Sequence, residues 1–287
     1  MSNAIGWCDS TINPIVGCTK CGLACAHCYA ERMARRLRAI GTRGYADGVD
    51  NDGFWTGRTA FVPGVLDKLI KTRKPKRVFM GSMTDLFHEN TPDAWRDKIF
   101  ATMAICPQHT FIVLTKRIEL AREYLRRAMR PLGYTWPALI PNVQLLVSIW
   151  DQASADAAIP VLLDTPAAVR GVSIEPMLGP MNIRGIEHLD RVVLGGENGP
   201  GARPMRPDWV RGVRDQCVDA GVPFWFKGWG EWLPFEFATG EQQTIASVYR
   251  TCLAGNGESG DLGSWVRLGK KRSGHILDGR EWREEPK

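Results

Sequence analysis

Between residues 78 and 230 the chain repeats one unit, a short run rich in β-branched and aromatic residues followed by a stretch of helical character. The runs are 78–82 (VFMGS), 110–115 (TFIVLT), 143–149 (VQLLVSI), 169–174 (VRGVSI), 191–194 (RVVL) and 223–226 (PFWF). Such segments read as parallel strands buried on both faces and joined by helical crossovers, which makes this an α/β chain. The intervening helices are expected over 92–105, with Thr91 as N-cap and Pro92 at the first helical position, and over 117–129, 153–163 and 207–220, the last closing before Gly221. Upstream, 26–39 and 62–72 read as helices and 41–61 as an extended loop.

These six strands, with one more expected near the N-terminus, predict a partial (β/α) barrel of about six to seven parallel strands. Its competitor is an open doubly wound sheet. The polar residues favour the barrel. Ser82 and Asp85, Thr115 and Lys116, Ser148 and Asp151, Ser173 and Glu175, Glu197, and Lys227 each follow the apolar body of a strand. A barrel gathers its site from the C-terminal ends of many strands, whereas an open sheet concentrates it at one or two switch points. After Trp232 the rhythm stops. Residues 233–264 are Gly-rich, and SWVRLG, KKRSG and HILDG read as a small antiparallel hairpin with an acidic tail. The expected organisation is a barrel over 1–232, carrying an N-terminal cysteine loop, and an appendage over 233–287.

The composition of the 287 residues is 44% hydrophobic and 24% charged, which excludes disordered, collagenous and coiled-coil classes. Eight cysteines are too few for a disulfide scaffold, and their placement is uneven: Cys18, Cys21, Cys25 and Cys28 crowd together, while Cys8, Cys106, Cys217 and Cys252 are scattered. The opening MSNAIGWCDSTINP has no basic segment before a long apolar run, and no stretch of apolar residues is long enough to span a membrane. The expected compartment is the cytoplasm, where clustered thiols read as metal-binding or catalytic.

Two overlapping triads lie in the crowded segment: Cys21, Cys25 and Cys28, spaced x3 and x2, and Cys18, Cys25 and Cys28, spaced x6 and x2. Soft thiolates at such spacing suit a [4Fe–4S] cluster. A four-thiolate zinc site from the pairs 18/21 and 25/28 competes, although three residues between the pairs are tight for one ion.

The x3, x2 spacing followed by Tyr29 resembles the signature of radical S-adenosylmethionine (SAM) enzymes. Longer motifs, N-P-I-V-G-C-T-K, C-Y-A-E-R-M-A, S-M-T-D-L-F-H-E, P-Q-H-T-F-I-V-L-T-K-R, S-I-E-P-M-L-G-P, G-G-E-N-G-P-G-A-R-P-M and G-V-P-F-W-F-K-G-W-G-E-W, resemble the phage Gp37/Gp68 family, a domain of unknown function, over nearly the whole chain. The superfamily resemblance implies a radical-SAM-like partial barrel in which three cysteines hold three irons and the fourth iron receives SAM. Reduction by an electron donor such as flavodoxin or ferredoxin then cleaves SAM to a 5′-deoxyadenosyl radical. The family pattern, C-x6-C-x-x-C, favours Cys18 as third ligand, and the superfamily pattern favours Cys21. Gly195-Gly196-Glu197 resembles the glycine–glycine–glutamate element that holds the SAM amino group, but 81–85, with Ser82 and Asp85, occupies the usual second-strand slot.

Ser148 and Glu175 are candidates for hydrogen bonding a ribose or a substrate sugar, and Lys116, Arg117 and Lys227 for meeting carboxylate or phosphate. Asp151 reads either as a further site residue or as a helix cap, and His27 as local packing. H-E-x-x-H, G-x-S-x-G and P-loop motifs are absent, so metalloprotease, hydrolase and kinase readings have no local support. The net charge of +6 fits an anionic partner. Basic residues cluster at 32–38, 71–77, 126–130 and 270–272, and Trp55, Trp229 and Trp232 are candidate stacking platforms. Two functions are therefore expected to compete: a radical SAM enzyme modifying or repairing a nucleic acid or nucleotide, and a nucleic-acid-binding protein with a structural iron–sulfur or zinc site.

Overall fold

The structure, a computed structural model, describes residues 6–129, 140–249 and 265–286. In chain order the strands are β1 (Ser10–Ile12), β2 (Ile15–Val16), β3 (Ala60–Phe61), β4 (Arg77–Met80), β5 (Thr110–Thr115), β6 (Val143–Ile149), β7 (Val169–Ile174), β8 (Arg191–Gly195), β9 (Phe224–Gly228), β10 (Trp232–Pro234), β11 (Trp265–Arg267), β12 (Ile276–Leu277) and β13 (Arg280–Glu281). The helices are α1 (Tyr29–Ala39), α2 (Asp67–Lys71), α3 (Asp93–Ala104), α4 (Ile118–Met129), α5 (Gln152–Leu163), α6 (Pro207–Ala220), α7 (Gly240–Tyr249) and α8 (Lys270–Ser273). No helix among the described residues is long and apolar enough to cross a membrane.

Seven strands form one parallel sheet in the order β1-β4-β5-β6-β7-β8-β9. Alternate residues divide between two cores, as the two-residue strand period requires. Val113, Leu145, Val147, Val172, Val192, Leu194, Phe224 and Phe226 pack outward beneath the helices. Phe79, Ile112, Leu146, Val193 and Trp225 point to the other face, where they gather with Trp7 and Cys8. Strands from both halves of the sheet meet in that second cluster, so the sheet is curled into a half-barrel, in agreement with the sequence expectation. Inward positions one step further along the strands are polar or small: Ser148, Glu175, Gly195 and Lys227.

The strand expectations at 110–115, 143–149 and 169–174 match to the residue. Helix α6 also has its expected bounds, ending at Gly221 with φ of +67°. Other details differ. Thr91 caps nothing: its N–H closes a turn onto His88 O at 2.9 Å, and Pro92 becomes the N-cap of α3. The 26–39 helix starts only at Tyr29, because Leu23–Cys25 forms a separate 3₁₀ turn. The 62–72 helix is a 3₁₀ turn, Pro63–Val65, followed by α2. Within 41–61, β3 pairs antiparallel with β2.

The tail is also rearranged. β11 pairs with β10, KKRS is helical, and the hairpin is β12–β13 around Asp278-Gly279, whose φ values of 49° and 79° suit a tight two-residue turn. Residues 250–264, with Cys252, lie outside the described residues, as does Arg130.

The tail then covers the open edge of β9, where Phe226 N–H donates to Trp282 O at 2.9 Å and Glu284 N–H donates to Phe224 O at 3.2 Å. An unpaired edge would otherwise invite association. Beneath, Arg191 is fully buried, donates to Gln144 Oε1 at 2.8 Å and shares Glu285 with Arg77. Trp282 is 9% exposed, packs edge-on against Phe224 and belongs to the main core. Trp282→Ala is expected to cost about 3–5 kcal/mol, as large aromatic-to-alanine core changes do. Urea denaturation measures this, and a loss below about 1 kcal/mol would show that the tail does not seal the core.

Candidate metal and cofactor site

After β1 and β2 the chain crosses the C-terminal mouth of the half-barrel. The 3₁₀ turn Leu23–Cys25 brings Cys21 Sγ and Cys25 Sγ to 3.9 Å. Cys18, Cys21, Cys25 and Cys28 all line one open cavity of about 120 Å³, together with Tyr29, Gly81, Ser82, Asp85, Lys116, Arg117 and Ser148. The chain segments forming it are pinned to one another: Gly17 N–H donates to Met83 O at 3.2 Å, Thr84 Oγ1 donates to Gly17 O at 2.7 Å, and Tyr29 OH donates to Ser82 O at 3.0 Å.

Asp85 organises the floor. Its Oδ1 accepts from Phe87 N–H at 3.0 Å and Thr115 Oγ1 at 2.8 Å, and its Oδ2 accepts from Lys116 N–H at 2.8 Å and Arg117 Nη1 at 3.3 Å. Arg117 extends from there to the cysteine loop. Its Nη2 donates to Thr19 Oγ1 at 2.6 Å, its Nε to Glu89 Oε2 at 2.8 Å, and its Nη1 lies 4.0 Å from Cys18 Sγ. His88 Nδ1 accepts from Asn90 N–H at 3.1 Å, which leaves Nε2 to donate to Thr19 Oγ1 at 3.0 Å. Burial, with Arg117 nearby, lowers the His88 pKa and keeps this neutral tautomer. Thr19 completes the network by donating to Glu89 Oε1 at 3.2 Å.

The thiols respond to these surroundings. Burial pushes Cys18 up to about 11, with Asp85 adding to the rise and Arg117 opposing it. The hydrogen bond shared with Cys21 holds Cys25 below the ordinary thiol range, and Lys116 contributes; the same bond raises Cys21. Soft sulfur donors with cations beside them suit a thiolate-bound metal or cluster. Among the described residues no three His, Cys, Asp or Glu side chains stand ready to hold a single metal ion. The four cysteines line one cavity, and their soft sulfur donors fit a polynuclear iron–sulfur group in donor chemistry.

The sequence candidates separate into two groups. Tyr29, Ser82, Asp85, Lys116 and Ser148 join the four cysteines around the cavity, and Lys116 Nζ donates to Ser148 Oγ at 3.2 Å. Glu175, Lys227, Gly195, Gly196 and Glu197 are not among its lining residues. Glu175 and Lys227 form their own ion pair on the β7–β9 side, with the ammonium 5.4 Å from the centre of the Trp7 ring. A Cβ on Gly196 would lie 2.1 Å from Trp229 O, so this glycine answers to backbone packing. Glu197 is buried and bound by Arg203 through the backbone N–H at 2.8 Å, Nε at 2.9 Å and Nη2 at 2.7 Å. Asp151 is a helix cap, accepting from Ser154 N–H at 2.8 Å.

Two of the basic clusters lie away from the cavity: residues 71–77 run into the start of β4, at the opposite end of the barrel, while Arg126 and Arg127 pair with Asp164 and Asp93. Trp229 is 1% exposed and Trp232 Nε1 donates to Ala202 O, whereas Trp55 lines the cavity. Sequence reasoning missed the Thr19–His88–Glu89 network and Arg203. The available signals were the buried-strand context of Asp85, which demands donors, and the arginine six residues after Glu197 in E-N-G-P-G-A-R.

The family described as "Protein of unknown function (DUF5131)" matches residues 2–286. No curated protein and no solved structure matches the chain.

The Asp85–Arg117 pair, with both side chains less than a tenth exposed, contrasts with Glu89, which is half exposed. Asp85→Ala is expected to cost about 3–5 kcal/mol because it removes the buried partner of Arg117 and leaves only the half-exposed Glu89 to balance its charge, and Glu89→Ala no more than about 1 kcal/mol. Equal losses in chemical denaturation would contradict this hierarchy.

Proposed function

The chain belongs to that family, and we propose that it is a radical SAM enzyme in which Cys18, Cys25 and Cys28 hold a [4Fe–4S] cluster. The observation that carries this reading is that all four clustered cysteines line one cavity at the C-terminal mouth of a seven-stranded parallel half-barrel. The motif likeness to the radical SAM superfamily and to the phage Gp37/Gp68 family supports it. Cys18 has the family spacing and lies beside Arg117, while Cys21 is exposed and bonded to Cys25 as a fourth thiol.

When bound, the cluster would supply the electron that cleaves SAM to methionine and a 5′-deoxyadenosyl radical, replenished by flavodoxin or ferredoxin. The chain's own residues bind and orient. Lys116 and Arg117 place positive charge beside the thiolates and favour their deprotonated form. Ser148, with Lys116 donating to its oxygen, keeps its own O–H free to donate to a ribose or substrate hydroxyl. The backbone from Gly81 to Ser82 forms the wall beside Tyr29, and Trp55 offers an aromatic face for a base. On the other half of the mouth, Glu175 and Lys227 present opposite charges to a bound substrate. A nucleic acid or nucleotide substrate fits the net charge of +6 together with Lys20, Lys116 and Arg117 along the cavity.

One observation favours a second reading. The 3.9 Å between Cys21 Sγ and Cys25 Sγ is close to the edge of a four-thiolate zinc tetrahedron, about 3.8 Å for bonds of about 2.3 Å. A structural zinc site would make this a binding protein without SAM chemistry.

Anaerobic reconstitution with iron and sulfide decides between them. The wild-type chain is expected to take up about four irons with thiolate-to-iron absorption. Cys25→Ala, Cys28→Ala and Cys18→Ala are each expected to lose most of that iron, and Cys21→Ala to retain it. Full retention without Cys18 would move the third ligand to Cys21, and stoichiometric zinc with no iron uptake would establish the second reading.

A further inference from the structure

We infer that the loop after β8, residues 196–203, is a clamp that holds the cysteine loop in its ligand-bearing shape, with Arg203 as positioning residue and Glu197 as its anchor. The inference rests only on the cysteines being metal ligands and does not need SAM cleavage.

Three contacts build the clamp. Arg203 Nη2, while bonded to the Glu197 carboxylate, also donates to Leu23 O at 3.1 Å. Leu23 opens the 3₁₀ turn that ends at Cys25. Gly201 lies against the His27 ring, where a Cβ would come 2.6 Å from Cε1. His27 stands between Cys25 and Cys28. Gly199 lies against the Arg32 guanidinium, where a Cβ would come 2.1 Å from Nη1, and Arg32 Nη2 donates to Asn198 O at 3.1 Å. Arg32 is in the first turn of α1, just after Cys28. The clamp therefore touches the chain before, between and after the last two cysteines.

Its other side is anchored to the barrel. Gly199 N–H donates to Glu231 Oε1 at 2.9 Å, and Trp232 Nε1 donates to Ala202 O at 2.6 Å. The physical purpose follows from entropy. Fixing backbone costs about 1–2 kcal/mol per residue, and the segment from Cys18 to Cys28 has no strand ladder to hold it. Contacts made before the metal arrives lower the ordering cost of binding it, as outer-shell groups do at metal sites. Both glycines serve by leaving space for side chains of the cysteine segment, and Glu197, saturated by Arg203, orients that arginine.

The test uses the full chain and two variants, Arg203→Ala and the double substitution Glu197→Gln/Arg203→Met, which leaves no buried carboxylate without its cation. Arg122→Ala, an exposed pair remote from the mouth, is the control. Amide hydrogen exchange is read in the metal-free protein, and the release of iron to a chelator is followed by thiolate-to-iron absorption after reconstitution. Both variants are expected to accelerate exchange at residues 18–28 and iron release by about tenfold, with β5 and β6 amides and the control unchanged. Wild-type rates at 18–28 in both variants would overturn the clamp, and so would an equal acceleration in β5 and β6. If the wild type takes up zinc in place of iron, zinc release replaces iron release, so the clamp stands or falls separately from the radical SAM reading.

Discussion

A single buried carboxylate decides how the mouth of this half-barrel is built. The four hydrogen bonds to the Asp85 carboxylate come from Phe87, after β4, and from Thr115, Lys116 and Arg117 at and just beyond the end of β5, and they turn the chain so that Lys116 lines the cavity while Arg117 reaches the cysteine loop. A carboxylate is worth burying only when its acceptor sites are filled. Here they are filled by the residues that then carry positive charge to the sulfurs. Electrostatics and architecture are thus one arrangement: the ion pair that stabilises the strand ends also sets a guanidinium beside the Cys18 sulfur.

The cysteine loop is consequently gripped from two sides. On one side, Asp85 holds Arg117, which holds Thr19, immediately after Cys18. On the other, Glu197 holds Arg203, which holds Leu23, two residues before Cys25. Each grip is a buried carboxylate, an arginine and a backbone or side-chain oxygen of the loop. The barrel supplies both carboxylates from near strand ends on different sides of the mouth, so the curled sheet sets the position of a segment that has little regular structure of its own.

The fold was legible because buried parallel strands carry apolar residues on both faces, and 110–115, 143–149 and 169–174 show this without interruption. The partner of a strand is a different matter. WVR at 265–267 pairs with β10 for reasons of tertiary packing that no local pattern contains. The same division holds at the site. Cysteine spacing and polar strand ends pointed to the residues of the cavity, since ligand chemistry is local. Gly195-Gly196-Glu197 lies outside that cavity lining, and a carboxylate after a strand looks alike in sequence whether it awaits a ligand or already holds an arginine. Only the fold shows that Arg203 fills it, and that Gly196 answers to Trp229.

The proposed cleavage of SAM is read from its product. The reconstituted, dithionite-reduced protein is mixed anaerobically with SAM and assayed for 5′-deoxyadenosine. 5′-Deoxyadenosine and methionine are expected to form with the wild-type chain and neither with Cys25→Ala. Repeated absence of 5′-deoxyadenosine from wild-type protein carrying a full cluster would contradict the proposal.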